Sequence, residues 1–174
     1  RLQYYPDWSS AAELAVSMNK DNDITAAGLY RFNVSGYDIQ LMGGIFREED
    51  YVIGGGWSGN IGGMGFKGET SYFRSMDNFK DTTGMFMASV SSEYMFSNAL
   101  YLQFEFLYSD IPKLSISNFY EYYGGSLTVK KLSFTEYSLF TQVSYPVTPL
   151  LKATLAMMYF PKIEGYYLGP SIEY

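Results

Sequence analysis

The stretch that decides the fold is "SNALYLQFEFLYSD", residues 97–110. Leu100, Leu102, Phe104, Phe106 and Tyr108 alternate there with Tyr101, Gln103, Glu105, Leu107 and Ser109. Successive side chains of a strand point to opposite faces, so strict alternation reads as a β-strand with one greasy face and one wetter face. Soluble strands alternate too, but they average about five or six residues, and this run is longer. The open question is which face meets water.

The same pattern recurs along the whole chain. It predicts eleven strands, at about 1–5, 11–18, 24–32, 37–46, 51–58, 62–73, 85–96, 100–109, 135–145, 150–160 and 166–174. "SSAAELAVSM" (9–18) has a helix-like start, with Ser9 or Ser10 as cap and Glu13 in the first turn. Ala12, Leu14, Val16 and Met18 nevertheless alternate with Glu13, Ala15 and Ser17, which favours strand. Between strands, the short connections "PDWSS", "NVSG", "SGNI", "SNA" and "PVTP" are built from turn residues. They alternate with the longer or more charged "NKDND", "REED", "RSMDNFKDTT", the segment 110–134 and "PKIEG". Transmembrane β-barrels have this asymmetry, with tight turns at one end and open loops at the other.

Composition sets the bounds. A hydrophobic content of 47% over 174 residues excludes disorder, and a mean hydropathy of -0.10 excludes a bundle of transmembrane helices. No run approaches the ~20 apolar residues a spanning helix needs. Aromatic residues make up 19% of the chain, with 18 Tyr, 13 Phe and 2 Trp. Tyr and Trp suit surfaces that are apolar on one side and wet at the edge. With no Cys and no His, disulfide scaffolds and most structural zinc sites are ruled out. The net charge of -6 argues against a nucleic-acid partner. No cofactor is expected. No signal peptide is present, and "RLQYY" alternates from the first residue, which reads as a cut end.

Polar residues within the expected strands fall opposite apolar ones. They are Glu13, Arg31, Asp38, Gln40, Lys67, Glu69, Glu93, Gln103, Glu105, Gln142 and Lys152, and they are the candidate lumen-lining set. A soluble sheet would carry more charge than the 17% present, spread along each strand. Here Glu13, Arg31, Asp38, Glu93 and Lys152 lie near the short-turn ends, with both signs represented, so pairing across a lumen floor is expected. Aromatics gather near strand ends, as in the girdles at the two bilayer interfaces. A tilted membrane-crossing strand needs about 9–11 residues, and in lipid every backbone polar group must be paired, so strands close into a barrel. The expectation is an all-β, antiparallel, up-and-down transmembrane β-barrel over 1–174, or a segment of a larger one. Complete single-chain bacterial barrels have even strand numbers.

In its alternation, loop asymmetry and girdles the chain resembles the outer-membrane β-barrel superfamily of Gram-negative bacteria. "YDIQLMGGIF", "YVIGGGWSGNIGGMGFKGETSYF" and "LFTQVSYPVTPLLKATLAMMYF" look like porin-type barrels of the Bacteroidota. The ending "LGPSIEY" resembles the family's C-terminal assembly signal, with Tyr174 last and Ile172 and Leu168 in phase. It departs from that signal at Pro170 and in lacking the usual final Phe. The resemblance implies outer-membrane location, contact with membrane lipid and lipopolysaccharide, and other outer-membrane or periplasmic proteins as partners. The family's barrel enzymes (phospholipase, omptin-type protease, lipid A acyl-modifying enzymes) need a catalytic His. This chain has neither His nor a Cys nucleophile, so no enzyme activity is expected.

Other motifs have plain structural readings. "GGGWSGNIGGMGFKG" (54–68) lacks the Gly-Lys-Ser/Thr order of a phosphate loop. Its glycines suit wall curvature and a neighbouring aromatic lying flat, for which Trp57 and Phe66 are the candidates. The acidic loops 21–23 and 47–50 offer hard oxygen ligands for Ca²⁺ but read as solvated loops. "NVS" at Asn33 matches a glycosylation sequon and reads as a tight turn. The loop 110–134 is the best contact candidate, through Phe119, Tyr120, Glu121, Tyr122 and Tyr123. Three functions follow as expectations. The first is a porin-like transport barrel with Lys67 and Glu69 on the path. The second is a non-conducting structural or interaction barrel presenting its loops. The third is a soluble β-barrel holding an apolar ligand.

Overall fold

The computed structural model describes residues 1–77, 79–80, 83–110, 133 and 135–174. Among them lie eleven β-strands and one short 3₁₀ turn. The strands are β1 Leu2–Asp7, β2 Ser10–Met18, β3 Ile24–Val34, β4 Tyr37–Phe46, β5 Asp50–Ile61 and β6 Met64–Ser75. They continue with β7 Met85–Met95, β8 Tyr101–Ser109, β9 Tyr137–Thr148, β10 Leu151–Phe160 and β11 Gly165–Glu173. They form one sheet in sequence order, β1 to β11, so the fold is all-β, antiparallel and up-and-down. The helix-like "SSAAELAVSM" is strand. The chain divides into two compact units, Arg1–Asn60 with Lys67–Ala88, and Ile61–Phe66 with Ser89–Tyr174.

Turn chemistry sets the hairpins. Ser35 and Gly36 have φ of 52° and 84°, and Gly62 and Gly63 have 58° and 86°. Two successive residues at positive φ make the mirror-image turn whose twist matches flanking strands. The turn expected at "SGNI" therefore lies later. β5 runs on through Ile61, and the two glycines after it turn the chain at no steric cost. β9 begins later than expected, at Tyr137. Just before it, the Thr135 hydroxyl donates to the Tyr137 carbonyl at 2.8 Å, and the Ser133 hydroxyl donates to the Thr135 carbonyl at 2.8 Å. Such local bonds offer the backbone an alternative to the ladder. Pro146 is tolerated in β9 because pairing with β8 has already ended at Tyr101↔Ser144.

Register sorts the side chains into two faces. In the first unit, Leu2, Leu14, Gly28, Gly43 and Ile53 line up across five strands, next to Tyr4, Ala12, Tyr30, Leu41 and Gly55. In the second, Leu102, Val143, Leu155 and Pro170 form one row and Phe104, Thr141, Met157 and Leu168 the next. These rows are the apolar face, and it is the open one: Val16 is 71% exposed, Ile53 64% and Leu155 48%. The opposite face is the packed one. Asp50 is 4% exposed, Ser91 6% and Ser144 4%, with Ala11, Phe73, Met87, Ser109, Ser138 and Phe160 also buried there. Ser10, beside the turn at 8–9, and Gly68 are the buried strand residues that depart from this rule.

The apolar face is banded in the second unit. Tyr108 and Tyr137 pair at the long-loop end, their rings 5.3 Å apart, with Phe106 6.1 Å from Tyr137. At the short-turn end Tyr94 and Phe96 make an edge contact at 4.8 Å. The rows between carry mainly aliphatic side chains, with Phe104, Thr141 and Pro170 among them. From Tyr137 to Tyr145 is about 27 Å of strand. In the first unit Tyr30 stacks on Phe32 at 5.5 Å near the turn at 35–36.

Candidate functional site: the polar face of the strands

Alternation places the candidate lumen residues on the packed face within each unit. Ala11, Arg31, Gln40 and Gly56 align across β2 to β5, and Asn33, Asp38 and Ser58 form the next row towards the turn at 35–36. Glu13 lies one row further from that turn, paired with Leu29. Glu69 shares this face. A Cβ built on Gly56 would sit 3.2 Å from the Gln40 amide nitrogen and 3.4 Å from Glu69 Cγ, so both side chains lean over the bare glycine. Lys67, two residues before Glu69 on β6, is on the same face.

Each charge that the structure ties down is held by a near neighbour. The Arg1 guanidinium donates to the Glu13 carboxylate at 2.6 Å and the Gln3 amide donates to the same oxygen at 2.9 Å. The Asn33 amide donates to Asp38 at 2.9 Å. These pairs run along and between adjacent strands. Strand neighbours sit about 5 Å apart, so they meet first. Asn33 is engaged in this way, which supports the turn reading of its sequon.

In the second unit, Glu93 lies flat over Gly65, whose Cβ would fall 2.8 Å from Glu93 Cγ. The Tyr101 hydroxyl donates to Glu93 at 2.8 Å, and Gln103 Oε1 lies 3.3 Å from the same hydroxyl. Gln103 pairs with Gln142, and Glu105 with Phe140. Lys152 sits 3.5 Å from Glu173 at the short-turn end. A row of hydroxyls, Tyr101, Ser144, Thr154 and Ser171, crosses β8 to β11 between them. The structure thus adds Arg1, Gln3, Asn33, Tyr101 and Glu173 as partners to the candidates.

The loops are held by ordinary means. The Asn19 side chain accepts from the Asp21 and Asp23 backbone N–H groups at 2.8 and 2.9 Å and donates to Asp23 at 2.8 Å, closing the 19–23 loop on itself. Loop 47–49 is tied by Glu48 N–H to the Ile24 carbonyl at 3.0 Å and by Met76 N–H to the Glu49 carbonyl at 2.8 Å. Among the described residues, no group of three or more acidic side chains converges as a metal site. Aromatic rings cover two of the glycines. The Tyr37 ring lies over Gly59 and the Tyr72 ring over Gly84. Phe119, Tyr120, Glu121, Tyr122 and Tyr123, the contact candidates of loop 110–134, lie outside the described residues.

Outside the strands, Lys162 reaches Glu136 at 3.0 Å. Its hydrogen bond and charge hold the Glu136 carboxyl below the usual glutamate range, and Glu136 raises Lys162 in return. No family model, curated protein or solved structure matches the chain.

Proposed function

We propose that residues 1–174 form part or all of an outer-membrane β-barrel of a Gram-negative bacterium, with its apolar face towards lipid and its polar face lining a porin-like lumen. The observation that carries this reading is the inverted polarity of the strands. Val16, Ile53 and Leu155 are on the open face while Asp50, Ser91 and Ser144 are on the packed one. In water that arrangement forgoes about 25 cal/mol for every Å² of apolar surface left wet, and soluble monomers rarely expose apolar patches beyond a few hundred Å². Against lipid the cost disappears, and the aromatic rows at the strand ends fall where bilayer interfaces would lie. Membrane lipid and lipopolysaccharide are then the surrounding partners.

Transport follows if the polar face is wet. Lys67 and Glu69 are then path residues, together with Arg31 and Gln40. The test is reconstitution into planar bilayers: wild type conducts, and Lys67→Glu shifts the ion preference towards cations. Insertion without conductance would overturn the transport reading. It would leave the second one, an interaction barrel with a filled lumen. The neighbour pairing of Glu13, Asp38 and Lys152 favours that alternative, because such contacts hold a wall together without serving a solute.

A further inference from the structure

The apolar face of the first unit is not smooth. An open groove of about 880 Å³ crosses β1 to β7. Gly28 and Gly43 lie at its floor, and Leu14, Tyr30, Ile53 and Tyr72 line it. Gly28 pairs directly with Gly43, so two bare positions adjoin on this face, with Leu14 and Ile53 at the ends of the same row. The floor is open above Gly43 in particular. A Cβ there would meet only the Val52 carbonyl oxygen, at 3.7 Å.

We propose that this groove seats one acyl chain of a membrane lipid. The proposal rests on the membrane reading above and adds a defined site to it. Chemistry selects the occupant. The single ionisable carboxylate among the lining residues, Glu13, is engaged by Arg1 and Gln3, so the groove offers no charge to an ion or a zwitterionic headgroup. The tyrosines Tyr4, Tyr30 and Tyr72 bring ring surface, with one polar atom each at the tip. That leaves a slot for a flexible aliphatic chain, and dispersion contacts are lost wherever such a slot stays empty.

The test reconstitutes the full chain into phosphatidylcholine vesicles in which a fraction of the lipid carries a photoreactive diazirine on one acyl chain. Labelled residues are mapped after irradiation. The expected result is labelling concentrated on β3 to β5 around Gly28 and Gly43, reduced at least five-fold in Gly43→Val. Leu155 and Met157, on the apolar face of the second unit, keep their weaker labelling in both proteins. Gly43→Ala, which fills less of the slot, serves as the second variant and gives an intermediate loss. Equal labelling over both units, unchanged by either substitution, would overturn the groove while leaving membrane insertion standing. Absence of labelling everywhere would overturn both.

Discussion

Lys162 Nζ lies 3.0 Å from Glu136 Oε2, joining the approach to β9 with the 3₁₀ turn Pro161–Ile163, and the same ammonium stands 5.5 Å from the Tyr137 ring. Because the Glu136 carboxyl is held below its ordinary value, the pair's contribution is fully present above that ordinary value. It fades as pH falls through the lowered one. Lys162 is raised, so at the alkaline end its contribution is complete below its ordinary value and is lost as pH climbs through the raised one. Both groups are partly exposed, so the effect is local. Glu136→Gln should speed proteolytic nicking at 161–164 at neutral pH, and the difference from wild type should vanish in strong acid. A difference that persists unchanged at low pH would contradict the pairing.

Adjacent glycines on β4 should behave oppositely. A Cβ on Gly44 would sit 2.1 Å from the Ala26 carbonyl oxygen and 2.8 Å from Ala27 Cα, both backbone atoms that cannot swing aside. Gly44→Ala should cost about 3 kcal/mol, whereas Gly43→Ala should change stability by less than about 1 kcal/mol. Urea unfolding of the two variants in detergent gives the comparison.

The Tyr101 hydroxyl is the donor that satisfies Glu93. Tyr101→Phe should lower stability by about 1 kcal/mol, since it removes one hydrogen bond from a half-buried carboxylate. Glu93→Gln, which keeps an acceptor for the hydroxyl, should cost less. The double variant measures the coupling, and strict additivity would show that the bond contributes nothing.

The Tyr37 ring over Gly59 is a third local device. Gly59→Ala would place Cβ 2.4 Å from Tyr37 Cδ1, so the ring must move away, at about 1–2 kcal/mol. Combining Gly59→Ala with Tyr37→Ala should cost less than the sum of the two, because the clash disappears with the ring.

Much of this was legible in the sequence, for physical reasons that also explain the misses. A period of two is imposed by the pleat, so Leu100 to Ser109 announces both a strand and its two faces. The faces of Glu13, Arg31, Asp38, Gln40 and Glu69 follow from the same rule. Their partners do not, because Tyr101 meets Glu93 only through the register between two strands, which the spacing along one strand leaves open. The glycine-rich run hid the turn at 62–63 for a related reason, since Gly59, Gly62 and Gly63 look alike until their φ values are known. Tyr37 covers Gly59 from β4, a contact that the spacing along one strand does not reveal.

The absence of cysteine makes single-Cys spin labelling of the lipid-facing rows free of background. Labels placed one at a time from residue 138 to residue 145 on β9, in reconstituted vesicles, report collisions with lipid-soluble oxygen and with a water-soluble nickel complex. The expected pattern has a period of two, with oxygen favoured at residues 139, 141, 143 and 145 and nickel at 138, 140, 142 and 144. Nickel access at the first set, or no alternation at all, would contradict a lipid-facing apolar face.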